Sequence, residues 1–185
     1  MTVDRTALLV MDIQQAIVDR TIKDAEYLTR LSGVIDRARR ADIRVVYVRI
    51  GFRPGHPDLS PRNQMFTNSP YLDQFDESNP ATQIVPAITP QSGDFIVTKR
   101  RVSAFTGSDL EVVLRANDVS TLVLAGIATS GVVLSTVREA ADRDYGLVVL
   151  SDCCADSDPE VHHVLITKIF PRQAEILTAT EWQLR

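Results

Sequence analysis

The stretch Thr6-Ala7-Leu8-Leu9-Val10-Met11-Asp12 decides the fold. Its first six residues form a continuous apolar run, the pattern of a strand buried on both faces, and the run stops on a carboxylate. Such a strand belongs in a parallel sheet with helices packed above and below. Downstream, Tyr27, Leu28, Leu31, Val34, Ile35 and Ala38 recur at helical spacing with Arg30, Asp36 and Arg37 between them, which predicts a surface helix with one buried stripe. Ile43 to Ile50 reads as strand again, and strand-helix-strand implies a right-handed crossover between parallel neighbours.

The alternation continues to the end of the chain. Strands are predicted over 94–98, 121–125, 147–150 and, more weakly, 175–178, with helices over 108–116 and 129–143. Asp158 is expected to cap a helix that begins at Pro159 and turns Val161, Val164, Leu165 and Ile169 inward. Between Gly51 and Gly93 the periodicity fails, and seven of the nine prolines lie there, so this segment is expected to form a lid with at most a short helical turn. The reading is a three-layer α/β/α domain spanning residues 1–185, without repeat or linker.

Composition narrows the function. Hydrophobic residues make up 44% and charged residues 24%, close to the globular average, and no apolar run is long enough to cross a bilayer. A net charge of −4 without a Lys/Arg block argues against nucleic acid or an anionic membrane as partner and favours a small molecule. Met1-Thr2-Val3-Asp4-Arg5 leads straight into the first strand without the features of a signal peptide, so a cytoplasmic location is expected. Cys153 and Cys154 are adjacent, with Cα atoms about 3.8 Å apart, too close for an ordinary disulfide, and are expected to be free thiols.

In open α/β sheets ligands bind beyond the carboxyl ends of the strands. Asp12 follows the first strand, Lys99 the third, and Gly126-Ile127-Ala128-Thr129-Ser130-Gly131 joins the fourth strand to a helix whose first amides favour an anion or a developing oxyanion. Three blocks carry a family likeness: Leu8-Leu9-Val10-Met11-Asp12-Ile13-Gln14; Lys99 with Ser103-Ala104-Phe105-Thr106-Gly107-Ser108-Asp109-Leu110; and Gly126-Ile127-Ala128-Thr129 with Leu134-Ser135-Thr136 and Ala140. Together they resemble the isochorismatase-like hydrolases of the cysteine hydrolase superfamily, in order and spacing, over nearly the whole chain. The resemblance implies six parallel strands in the order 3-2-1-4-5-6 and commonly a homo-oligomer, dimer or tetramer.

Most relatives in that family carry a cysteine three residues after the threonine that matches Thr129, and this sequence has Val132 there. In those relatives the aspartate and lysine help to deprotonate and position the thiol, and the helix start lowers its pKa. Valine cannot act as a nucleophile, so a thioester route is closed at this position. Isochorismatases proper, which the chain also resembles, likewise lack the cysteine and hydrolyse a vinyl ether with the aspartate as proton donor. The expected function is therefore a cofactor-independent hydrolase of a small carboxylate-bearing metabolite. Asp12 and Lys99 are its catalytic pair, and Ile127, Ala128, Thr129, Gly131 and Val132 hold developing negative charge or substrate. This role needs Asp12 protonated; burial raises its pKa, Lys99 lowers it, and the sequence does not rank the two. Nicotinamidases, another resembling branch, bind a metal through an Asp-x-His pattern; Arg49 to His56 offers one histidine without the carboxylate, so no metal is expected.

Each sharp reading has a plain counterpart. Asp12 at a strand end can cap a turn, Lys99-Arg100-Arg101 can be a solvated basic face, and Val132 can be helix core, which would leave a catalytically silent binding or scaffold protein. Cys154, after the fifth strand, offers a substitute nucleophile or simply a small buried hydrophobe. His56, Arg53 and Arg62 in the lid are candidates for recognising an acidic group or for oligomer contacts, and His162 and His163 read as surface residues.

Overall fold

The structure, a computed structural model, describes residues 5–182. Strand β1 (Arg5–Met11) alternates strictly: Leu8 and Val10 enter one hydrophobic core, while Ala7, Leu9 and Met11 enter the other. A strand whose successive side chains feed two cores must lie in the middle layer of three, because successive Cβ atoms point to opposite faces of the sheet. β1 pairs on one side with β2 (Arg44–Ile50) and on the other with β4 (Val119–Ile127). With β3 (Phe95–Lys99), β5 (Gly146–Ala155) and β6 (Glu175–Leu177) the sheet has six parallel strands in the order β3-β2-β1-β4-β5-β6, as expected.

Helix α1 (Gln15–Thr21) and helix α2 (Tyr27–Arg40) cover one face, with Tyr27, Leu31, Val34, Ile35 and Ala38 of α2 buried on it. The other face is covered by α4 (Leu110–Ala116) and α5 (Leu134–Asp142) through Leu110, Leu114, Val137 and Ala140. Burying each aliphatic side chain of leucine size contributes about 1.5–3 kcal/mol, so these stripes fix the helices to the sheet. Among the described residues no helix is long and apolar enough to cross a membrane.

Three details depart from the sequence reading. The fourth and fifth strands run longer than predicted, because pairing continues past a register shift from Leu124–Val149 to Gly126–Cys154. The helix starting at Thr129 opens with a π-helical turn (Thr129–Val133) before α5. Asp158 does cap α6 (Pro159–Val164), accepting from the amides of Glu160 and Val161, but Val161 and Val164 are 37% and 36% exposed. The inward stripe keeps Leu165 and Ile169 but takes His162 and Ile166 in place of Val161 and Val164, at i, i+3, i+4, i+7 spacing. His162 can face inward because Thr129 Oγ1 lies 2.8 Å from its Nδ1.

The irregular stretch after β2 is packed rather than slack. Its short helix α3 (Gln64–Thr67) and the 3₁₀ turn Leu72–Phe75 supply Phe66 and Phe75, which stack edge-to-face with Phe52 in series, centroids 5.1 and 6.1 Å apart. Buried Gln14 holds the segment to the sheet, its amide nitrogen donating to the carbonyls of Ile50 and Thr82 while its Oε1 accepts from the Ile50 amide.

Gly126 sets how closely β4 approaches β1 at the end that matters. A Cβ there would lie 2.7 Å from the Met11 carbonyl oxygen and 2.9 Å from the Met11 Cβ. Gly126→Ala is expected to lower stability by about 1–3 kcal/mol through overpacking, read as a lower urea midpoint with an unchanged slope.

Candidate active site

Asp12 is the first residue past β1, and its backbone turns sharply there. Its φ of 58° lies in the left-handed region, which a non-glycine residue occupies at a cost. Its amide donates to Val48 O at 2.8 Å, and its side chain, 7% exposed, points into the sheet's carboxyl end. Lys99, the last residue of β3, reaches past the end of β2 to place Nζ 2.9 Å from Asp12 Oδ2. The Lys99 side chain is 2% exposed and also donates to the Arg101 carbonyl at 3.0 Å. It is therefore not part of a solvated basic face. Its neighbours are committed elsewhere, Arg100 to Asp58 and Glu77, and Arg101 to the Asp58 carbonyl.

The pair is asymmetric. Asp12 Oδ2 has Lys99, while Oδ1 is buried with no hydrogen-bond partner. Burial pushes the Asp12 carboxyl above its ordinary value, outweighing the pull of the Lys99 ammonium beside it. The question the sequence left open falls on the side of burial, which raises the Asp12 pKa, and Asp12 lines a cavity.

That cavity has a volume of about 440 Å³, within the range of small-molecule sites. Asp12, Lys99, Ile127, Ala128, Gly131 and Val132 line its inner part, bringing together three segments far apart in the chain. The Ile127–Ala128 peptide is cis. Val132 is 2% exposed, its side chain shared between the cavity lining and the second core.

Thr129, expected among the oxyanion or substrate contacts, does not line the cavity. It is fully buried, with its hydroxyl at His162 on α6. The amides of this turn are also partly engaged: Ser130 N donates to Asp156 Oδ2 at 2.7 Å and Gly131 N to Ala128 O at 3.1 Å. His162 is thus a support for the turn rather than a surface residue, and burial pulls its pKa below the ordinary histidine value. The shifted stripe on α6 was the signal that could have found it.

Cys154 lies outside this cavity and lines an adjoining one of about 360 Å³. Its thiol is 5% exposed, 3.9 Å from the Leu124 carbonyl, and burial raises its pKa; that of Cys153 is pushed up to about 12. Burial thus disfavours the thiolate, the nucleophilic form, at both positions, and Cys154 lies outside the cavity that Asp12 lines. His56, Arg53 and Arg62 line neither cavity. Arg53 pairs with Asp58 at 3.1 Å, and His56 packs edge-on against Phe52. Among the described residues no group of three or more His, Cys, Asp or Glu side chains is placed to hold a metal ion. In their place the cavity mouth holds Arg20 of α1, in a segment the sequence reading left unassigned, beside Tyr71 and Met65.

A family model described as the isochorismatase domain matches residues 6–181. The uncharacterized isochorismatase family protein YwoC of Bacillus subtilis (strain 168) is 33% identical over 180 residues, covering 96% of this chain and 92% of that protein. Ureidoacrylate amidohydrolase RutB of Methylorubrum extorquens is 30% identical, covering 84% of this chain and 72% of that one. Among solved structures, a cysteine hydrolase from Pseudomonas syringae pv. phaseolicola 1448A superposes with a TM-score of 0.88 at 27% identity, covering 96% of this chain and 90% of that chain.

Proposed function

Because this chain belongs to the isochorismatase family of hydrolases, we propose that it hydrolyses a small carboxylate-bearing metabolite without a covalent cysteine intermediate, with Asp12 as general acid and Lys99 as its electrostatic partner. The observation that carries this reading is the composition of the cavity's inner end. Asp12, one of whose carboxyl oxygens is buried without a partner, lines the cavity, and a valine stands where the resemblance puts the nucleophile.

The chemistry suited to that arrangement is hydrolysis of a vinyl ether. Asp12 delivers its proton to the terminal alkene carbon; the π electron pair forms the new C–H bond and leaves an oxocarbenium ion. Water adds to that cation and returns a proton to the Asp12 carboxylate, and the resulting hemiketal collapses to an alcohol and a ketone. Lys99 stabilises the carboxylate that exists between the two proton transfers, while burial raises the Asp12 pKa and so moves it toward the acid form this role needs. Ala128 and Val132 line the same end of the cavity.

The test is a panel of carboxylate-bearing vinyl ethers, amides and ureides, assayed before and after exhaustive iodoacetamide treatment and repeated with the Cys153→Ser/Cys154→Ala variant. Turnover of a vinyl ether is expected to survive both treatments, with no adduct in the intact mass during turnover. Activity that disappears in step with alkylation of either cysteine would overturn the reading. A second reading, a pocket that binds without turning over, is favoured only by the core packing of Val132. Binding of panel members with no turnover of any would establish it.

A further inference from the structure

The cavity has two cationic residues with different commitments. Lys99 is occupied by Asp12 and the Arg101 carbonyl. Arg20, in the last turn of α1, lines the same cavity, and among the described residues no carboxylate lies within ion-pair distance of it. Its neighbour Asp19 is bonded to Gln15 instead.

Arg20 is nevertheless held in place. Its guanidinium carbon lies 4.6 Å from the ring centroid of Tyr71 and 5.4 Å from that of Phe75, and its Nη1 donates to Gln74 Oε1 at 3.1 Å. Stacking uses the faces of a guanidinium, and the contact to Gln74 uses one of five N–H donors. The remaining edge donors keep the planar fork that pairs with a carboxylate. Partial burial pulls the Arg20 pKa down. The lining of the cavity that Arg20 and Asp12 share also includes the apolar Ile17, Ile50, Phe66 and Val102. Two polar ends joined by an apolar wall describe the ligand: an organic anion with a compact unsaturated or aliphatic body.

We propose that Arg20 determines substrate specificity: from the clamp of Tyr71 and Phe75 it receives the carboxylate of a small organic anion and aims the other end of that molecule at Asp12. This rests on reading the cavity as the active site, and it adds the residue that selects the substrate and the charge it selects. A clamp that merely fastened α1 to the lid would not need to face the cavity or to lack a counter-ion.

The experiment measures binding without turnover, so its outcome is independent of whether Asp12 is the acid. Benzoate and its neutral counterpart benzamide are titrated into the full chain by calorimetry or ligand-observed NMR, with the wild type, Arg20→Met and Arg20→Lys compared at 50 mM and 500 mM salt. The expected result is that wild type prefers benzoate, that Arg20→Met weakens benzoate at least ten-fold while leaving benzamide unchanged, and that Arg20→Lys falls between. Arg20→Lys keeps the cation over both rings, so it reports on the fork even if the methionine variant loosens the lid. Equal weakening of both ligands would assign Arg20 a structural role only. A wild type indifferent to the ligand's charge, or benzoate affinity unchanged in Arg20→Met, would likewise overturn the proposal.

Discussion

Asp12→Asn is expected to lower kcat/KM by about 10²–10⁴-fold, the range that a positioned general acid contributes. Asparagine fills nearly the same volume and can still accept the hydrogen bond from Lys99 Nζ, so the shape of the cavity is kept and only the transferable proton is lost. The pH profile gives the discriminating signature. Burial raises the Asp12 pKa, so the acid form grows as pH falls, and wild-type kcat/KM should decline as pH rises through that raised value. The residual rate of Asp12→Asn should lack this limb.

Stability follows the same sign. A carboxyl whose folded-state pKa exceeds its unfolded value contributes stability that is fully present below the unfolded value and lost as pH rises through the folded one. Deleting one partner of a buried pair outright costs about 3–5 kcal/mol, and Asn, which retains the contact, is expected to cost less. Combining Asp12→Asn with Lys99→Met should recover part of that loss without recovering activity, which separates the charge from the chemistry. Activity indifferent to Asp12→Asn would remove Asp12 from the mechanism.

The residues that were legible in the sequence and those that were not differ for physical reasons. β1 and β4 were legible because strands buried on both faces leave unbroken apolar runs, and a carboxylate ending such a run is conspicuous. Lys99 was legible by its offset from the Ser103 block, although its charge alone argued for solvent; only the structure shows it 2% exposed against Asp12. Arg20 was not legible, because α1 buries just Ile17 and Val18, too few positions to establish a helical period in seven residues. Its stacking partners come from a segment whose prolines hide the 3₁₀ turn that carries Phe75. His162 was misplaced because apolarity assigned the inner face of α6 to Val161 and Val164, whereas a hydrogen bond from another element, at Thr129, allows a polar residue to take it. Local pattern reports which side chains prefer to be dry; it does not report polar groups made dry by partners distant in the chain.

Val132→Cys tests the same site from the opposite direction. The change removes little volume from a side chain that is 2% exposed, so its cost should stay below about 1.5 kcal/mol. It places a thiol in the cavity lining among Asp12, Lys99 and Ala128, near a buried carboxylate that can take its proton and an ammonium that stabilises the resulting anion. The new thiol should be alkylated by iodoacetamide at neutral pH while Cys153 and Cys154, whose pKa values burial raises, stay unmodified. Hydrolysis of carboxylate-bearing amides should increase by on the order of 10³-fold or more, since a nucleophile typically accounts for most of the rate of a covalent mechanism, with an acyl-enzyme visible in the intact mass. The pH dependence should also reverse. The wild type needs Asp12 protonated and slows as pH rises, whereas the variant needs Asp12 ionised to accept the thiol proton and accelerates as pH rises through the same group's pKa. An introduced thiol as inert as the native cysteines, or an amidase whose rate falls with pH like the wild type's, would mean that Asp12 and Lys99 do not control proton transfer in this cavity.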